Sequence, residues 1–178
     1  SMGALTSQLK QFARKSPGHS ERTGLSAIID QALLILEPAI RQHRATIQIQ
    51  LADDAGVVQC NPNRLEQVIV NLLSNAIDAG ASRNTHPVVQ LSSQRQGQQV
   101  AVRIQDNGPG LSEDARLHLF EPFFTTKESG TGLGLGLAIS MSIIQHCDGS
   151  LTADNLPGGG AVFTIVLPFP GAEKCTKG

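Results

Sequence analysis

Four glycines at alternate positions, in Gly130-Thr131-Gly132-Leu133-Gly134-Leu135-Gly136-Leu137, lead directly into the apolar run Ala138-Ile139-Ser140-Met141-Ser142-Ile143-Ile144. Such a loop can take positive φ and come close to a ligand, and the apolar run predicts a helix. The first-turn N–H groups of that helix have no intrahelical partner and sit at the positive end of its dipole, so phosphate oxygens are favoured guests. A slack surface loop before an ordinary helix is the other reading. Spacing excludes two familiar phosphate loops. Leu137-Ala138 stands where a Walker A loop needs Lys-Ser/Thr, and no frame of these glycines gives G-x-G-x-x-G.

Two further clusters could do chemistry. From Arg64 to Ala81, Leu65, Val68, Ile69, Leu72 and Ala76 share one helical face, while Gln67, Asn71, Asn75 and Asp78 gather on the opposite side. Asn is a poor helix former, and side-chain oxygens one turn apart suit Mg²⁺, which takes few protein ligands. A solvated polar face is the alternative. The second cluster is Asp106-Asn107-Gly108-Pro109-Gly110 at a strand end. It reads as a bare turn, or as a carboxylate that accepts a hydrogen bond from an exocyclic amine, with Gly108 and Gly110 leaving room for a flat ring. Adenine offers that amine, and guanine's carbonyl would be repelled. Lys127 follows the run Phe120-Glu121-Pro122-Phe123-Phe124 and is placed to reach a terminal phosphate as a point charge. The three phenylalanines also read as core aromatics.

The elements that must position these groups follow from periodicity. Residues 4–15 and 25–43 carry helical stripes, the second interrupted by Pro38, with a polar linker over 16–23. Alternation predicts strands at 46–51 and 57–60, paired through the Asp53-Asp54-Ala55-Gly56 turn. Asn61 or Asn63 can cap the next helix, with Pro62 in an early position. Strands at 88–95 and 98–105 form a hairpin about Gly97, and Asp114 to Leu119 forms a short helix. A helix over 137–147, a strand over 150–154 and a buried strand over 161–167 complete the pattern before a tail from Pro168.

The 178 residues are 40% hydrophobic, enough for one core and a single domain. A net charge of -1 gives no footprint for nucleic acid. No apolar run suggests a membrane span, and the N-terminus has no signal pattern. Ser1-Met2 is expected to be a tag remnant ahead of an internal start, within a longer natural protein. Cys60, Cys147 and Cys175 lack C-x-x-C spacing, which argues against a disulfide framework and a zinc site and for a reducing compartment. With no Trp or Tyr, an adenine would sit among aliphatic side chains and Phe.

In this order the motifs resemble the ATP-binding catalytic domain of sensor histidine kinases, within the superfamily that includes gyrase, Hsp90 and MutL. Asn61 to Ala79 resembles the N box, Asp106 to Gly110 the first glycine box, Phe120 to Lys127 the F box, Gly130 to Leu137 the second glycine box and Gly158 to Thr164 the last. The wording from Leu65 to Ala79 is similar to the subgroup that senses C4-dicarboxylates or nitrogen status. The resemblance spans about residues 24–168. It implies the Bergerat fold, a two-layer α/β (α+β) sandwich with a mixed five-stranded sheet packed on three helices. Residues 1–22 would then be tag remnant, the end of a dimerisation-hairpin helix and linker, 23–170 the catalytic domain, and 171–178 a tail.

The same resemblance implies the ligands and roles. ATP and Mg²⁺ would be bound, with Asn75 the metal ligand and Asn71 beside the phosphates. Asp106 would receive the adenine amine, with Thr164 supporting that contact from below, and Asp78, Gly108, Gly110 and Thr131 would also belong to the nucleotide site. Backbone N–H groups of Gly132, Leu133, Gly134 and Leu135 would meet the triphosphate, residues 121–135 forming a lid. Asn71 and Lys127 would be the catalytic groups. The expected partners are a phosphoacceptor histidine hairpin of the same or a sister chain and the receiver domain of a response regulator, without nucleic acid or membrane contact. The expected location is the cytoplasmic side of a parent anchored in a bacterial inner membrane.

Two departures qualify the resemblance. ATP-hydrolysing relatives carry a general-base Glu four residues before the metal Asn, where this chain has Asn71, so slow ATP hydrolysis is expected. None of His19, His43, His86, His118 and His146 has the context of a phosphoacceptor, so the chain is expected to bind nucleotide without phosphorylating itself. An ATP-driven conformational clamp and a nucleotide-binding pseudokinase are the alternative functions.

Overall fold

The computed structural model describes residues 19–83, 86–124 and 135–171. In chain order these form β1 (Glu21–Gly24), α1 (Leu25–His43), β2 (Thr46–Leu51), β3 (Val57–Cys60), α2 (Pro62–Arg83), β4 (Val88–Gln96), β5 (Gln99–Asp106), α3 (Glu113–His118), α4 (Gly136–His146), β6 (Ser150–Asn155) and β7 (Ala161–Pro168). Five strands make one mixed sheet in the order β2-β4-β5-β7-β6, parallel between β2 and β4 and antiparallel elsewhere. The helices α1, α2 and α4 contribute to the same core as one face of that sheet, as the sandwich expectation requires.

Alternation explains the layers. Val100, Val102 and Ile104 of β5 and Phe163, Ile165 and Leu167 of β7 are buried in the core cluster, with Leu65, Ile69, Leu72, Leu73 and Ile77 of α2 among their companions. Each such side chain contributes about 1.5–3 kcal/mol by leaving water. α2 starts as its sequence dictates: the Asn61 Oδ1 accepts the Arg64 N–H at 2.9 Å, and Pro62 takes the first position, where a missing N–H costs nothing. The helix α1 runs through Pro38 and ends in the left-handed Arg44, with the Ala45 N–H closing on the Ile40 carbonyl at 2.9 Å.

Three expectations are corrected. β2 and β3 are not a hairpin. β2 pairs in parallel with β4, starting Thr46 opposite Val88, while β3 pairs with β1, Val58 opposite Thr23. The Asp53–Gly56 turn forms, but β3 leaves it for a separate two-stranded ribbon, and α2 supplies the crossover that a parallel pair needs. Residues 21–23, read as linker, form that ribbon's other strand together with Gly24; Thr23, only 4% exposed, donates its hydroxyl to the Cys60 carbonyl at 2.8 Å. Finally, Cys60 and Cys147 form a disulfide with Cα atoms 5.4 Å apart, joining residues 87 apart in sequence, so the cysteines no longer argue for a reducing compartment.

Candidate functional site

α2 carries the polar row that the sequence singled out. Asn71 and Asn75 are half-buried and Asp78 is exposed, one helical turn apart, while Leu65, Val68, Ile69, Leu72 and Ala76 fill the core on the other side. Asn71 is held: its Nδ2 donates to the Ser140 Oγ on α4 at 3.2 Å. Its Oδ1 lies over Gly136, the first residue of α4, where a Cβ would stand 2.6 Å away. Any other residue at 136 would push the Asn71 amide from this place. Leu135 precedes it and is 1% exposed, a member of the core.

The second wall is the corner after β5. Asp106 is 6% exposed, and its Oδ1 accepts the N–H groups of Gly108 at 2.9 Å and Ala161 at 3.2 Å. Burial pushes its carboxyl above the ordinary carboxylate range, and the two N–H groups oppose that rise. Both bonds fall on Oδ1, so Oδ2 keeps its capacity for an incoming donor. The backbone around it is locked. A Cβ on Gly108 would meet the Ala79 carbonyl oxygen at 2.7 Å, and Arg83 Nη1 donates to the Gly108 carbonyl at 3.1 Å, so this corner is pressed against α2. At Gly110 a Cβ would stand 2.8 Å from the Asn155 Oδ1, and that amide clasps Leu111 by accepting its N–H at 2.6 Å and donating to its carbonyl at 2.9 Å. Asn107 accepts the Val88 N–H at 3.0 Å and donates to the His86 carbonyl at 3.1 Å, anchoring the corner to β4.

α2 therefore links two chemistries. Ala79, under the Asp106 corner, lies two turns beyond Asn71, roughly 12 Å along the axis at 1.5 Å per residue. The corner that holds Asp106 thus packs at one end of the stretch of α2 that carries the Asn pair, and the start of α4 lies against its other end.

Thr164 does not join them. It pairs with Arg103 on β5 and with Thr152 on β6. Asp106 lies three residues from Arg103, and an odd offset in a strand puts side chains on opposite faces of the sheet. The expected support of Asp106 by Thr164 is corrected to the Ala161 backbone N–H. Gly160 also belongs here, with φ of 86° and a would-be Cβ only 2.0 Å from the Asp106 carbonyl oxygen. Sequence reading missed Ala161, Gly160, Gly136 and Ser140 as site residues. A signal existed for Ser140, a hydroxyl on the apolar stripe of Ala138, Ile139, Ile143 and Ile144. Of the expected aromatics, Phe120 packs edge-on against Phe163 with centroids 6.4 Å apart, whereas Phe123 is 67% exposed.

Lys127, Thr131, Gly132, Leu133 and Gly134, with most of the proposed lid, lie outside the described residues. Among the described residues no three His, Cys, Asp or Glu side chains cluster as a metal site, and no helix is long and apolar enough to cross a membrane. A hydrated Mg²⁺ fits the donor set nonetheless: it accepts a neutral amide oxygen with waters and phosphates completing its shell, which is what the half-buried Asn75 offers. At Gly108 and Gly110 a Cβ would meet the Ala79 carbonyl and the Asn155 amide, so the expectation that these glycines leave room for a flat ring is corrected: their missing side chains let the corner pack against α2 and β6. The buried Asp106 carboxylate still offers an acceptor of the kind an adenine amine needs.

Residues 60–171 match the model of the histidine kinase-, DNA gyrase B-, and HSP90-like ATPase family. The signal transduction histidine-protein kinase AtoS of Escherichia coli K12 is 34% identical over 95% of this chain and 27% of its own length. The C4-dicarboxylate transport sensor protein DctS of Rhodobacter capsulatus is 34% identical over 94% of this chain and 25% of its own. This chain spans about a quarter of the length of these curated relatives. Among solved structures, the nucleotide-free catalytic domain of the histidine kinase ThkA superposes with a TM-score of 0.74 at 28% identity, covering 84% of this chain and 95% of that one. A structure of ThkA in complex with the response regulator protein TrrA gives 0.74 at 24% identity, over 94% of this chain and 48% of that one, a likeness of fold.

Proposed function

Because the chain belongs to the histidine kinase-, DNA gyrase B-, and HSP90-like ATPase family, and its relatives are sensor histidine kinases, we propose that it is the kinase domain of a two-component sensor. In this reading it binds ATP with Mg²⁺ and gives the γ-phosphoryl group to a histidine ring nitrogen on a dimerisation hairpin, ADP leaving. An aspartate of a response regulator receiver domain takes the group next. The parent would be a sensor anchored at the membrane with this domain on the cytoplasmic side.

The observation that carries the reading is the buried Asp106 carboxylate, with one oxygen satisfied by backbone and the other available. A buried acceptor there recognises an exocyclic amine and rejects a carbonyl, which selects adenine over guanine. Asn75 would hold Mg²⁺, which neutralises phosphate charge when bound. Asn71, Lys127 and the backbone of residues 131–135 would bind and orient the phosphates, so that transfer proceeds by positioning and charge stabilisation. Asn71 cannot act as a general base as a Glu would, so water is poorly activated and the γ-phosphate persists for the acceptor.

The test mixes the protein with radiolabelled ATP, Mg²⁺ and a separately made acceptor hairpin. Acid-labile phosphohistidine on the hairpin, with slow release of free phosphate in its absence, is the expected result. ATP binding without transfer would favour the pseudokinase reading, and fast hydrolysis without an acceptor the clamp.

A further inference from the structure

We infer that Ser140 is a positioning residue for Asn71. Ser140 is 1% exposed in the row of α4 that also buries Ala138, Ile139, Ile143 and Ile144. A hydroxyl among apolar side chains is costly unless hydrogen-bonded, and the bond found here comes from the Asn71 Nδ2, 69 residues away on α2. The other end of the same amide, Oδ1, lies against Gly136 at the mouth of the glycine loop.

An asparagine amide has a donor end and an acceptor end of nearly equal shape, so packing alone does not decide which points where. The Ser140 hydroxyl can both donate and accept, so it tethers whichever amide end meets it; here that is Nδ2, at 3.2 Å, and the bond fixes the Asn71 side chain against α4. The far end of the amide is thereby held at one place beside Gly136. An aliphatic residue at 140 would pack equally well and leave the amide free to turn. The catalytic consequence rests on the kinase reading above; the orientation of the amide does not.

Two measurements test it. The first follows the Asn71 side-chain amide by ¹⁵N NMR in the parent and in Ser140→Ala and Ser140→Thr, with Asn71→Ala to assign the signals. A displaced, slowly exchanging pair in the parent and in Ser140→Thr, lost in Ser140→Ala, is expected; the same spectrum in all three overturns the proposal. The second measures transfer to the acceptor hairpin. Loss of one neutral hydrogen bond should lower kcat about fivefold in Ser140→Ala and leave the KM for ATP within about twofold, with kcat recovering in Ser140→Thr. In an Asn71→Ala background the same substitution should have no further effect, as coupled partners require. An equal fall in both backgrounds, or an unchanged kcat, would make Ser140 mere packing. Should the parent transfer no phosphate, the kinase reading fails, and the amide spectrum still decides the role of Ser140.

Discussion

The Asp106 carboxylate accepts the backbone N–H of Ala161 at 3.2 Å across the β5–β7 pair, and Thr164, three residues further along β7, faces the other side of the sheet. The far strand therefore supports the carboxylate through main chain alone. A backbone donor costs little to order, since its position is fixed by the strand ladder that already exists.

It follows that Thr164→Ala should leave ATP affinity within about twofold of the parent, because the hydroxyl reaches neither carboxylate oxygen. Isothermal titration decides it. A tenfold loss, the size expected for a lost hydrogen bond to a charged group, would reinstate Thr164 in the site.

Asp106→Asn separates binding from stability. Burial raises the folded-state pKa of Asp106 above its unfolded value, so the folded chain holds that proton more tightly. Stability from this group is full below the ordinary carboxylate range and is lost as pH rises through the folded value. The amide can still accept the Gly108 and Ala161 N–H groups. The variant should thus gain stability relative to the parent as pH rises and match or exceed it at neutral pH. Its ATP affinity should fall by about tenfold to a hundredfold. Melting curves across this range, paired with titrations, read both effects. A stability gap that ignores pH would refute the ionisation argument, and unchanged affinity would remove Asp106 from the base site.

Gly160→Ala should be among the most damaging single-methyl additions in the chain. The residue needs φ of 86°, and its Cβ would stand 2.0 Å from the Asp106 carbonyl oxygen, a backbone atom with no room to retreat. Strain of this kind costs about 1–3 kcal/mol before any clash is relieved. Chemical denaturation should report at least that loss, together with weakened ATP binding as the corner shifts. Gly158→Ala, with open space around its Cβ, is the control and should lose far less.

Much of this was legible in sequence, and the failures have physical causes. Helical and strand periods in α2, β4, β5 and β7 gave those elements nearly to the residue because each has one face in the core. The Asp106 corner could be read because few roles need an acid between a strand and two glycines. The partner of β2 could not: alternation says that a strand has a buried face, and is silent on which neighbour takes its edge. The face of Thr164 was in principle readable by counting from Phe163, a core residue next to it, but a polar residue near a motif drew the assignment instead. Ser140 was unreadable as a partner of Asn71, since nothing local connects residues 69 apart.

The cysteines show the same limit most plainly. Spacing along the chain argued against a bridge, yet Cys60 ends β3 immediately before the α2 cap, and Cys147 caps the far end of α4. α4 is thus tied to β3 at its end by the bridge and to α2 nearer its start by the Asn71–Ser140 hydrogen bond. A bridge across 87 residues removes much conformational freedom from the unfolded chain, with a typical contribution of about 2–4 kcal/mol. For a chain of this size that corresponds to roughly 5–15 °C in Tm. Cys60 and Cys147 are 0% and 5% exposed, so reduction should need partial unfolding before dithiothreitol acts. Protein unfolded and refolded with dithiothreitol should melt lower by that amount than protein refolded without it. In Cys147→Ala the reductant should change nothing. Equal melting of the parent with and without reductant, alongside a free-thiol count showing reduction, would mean the bridge adds no stability.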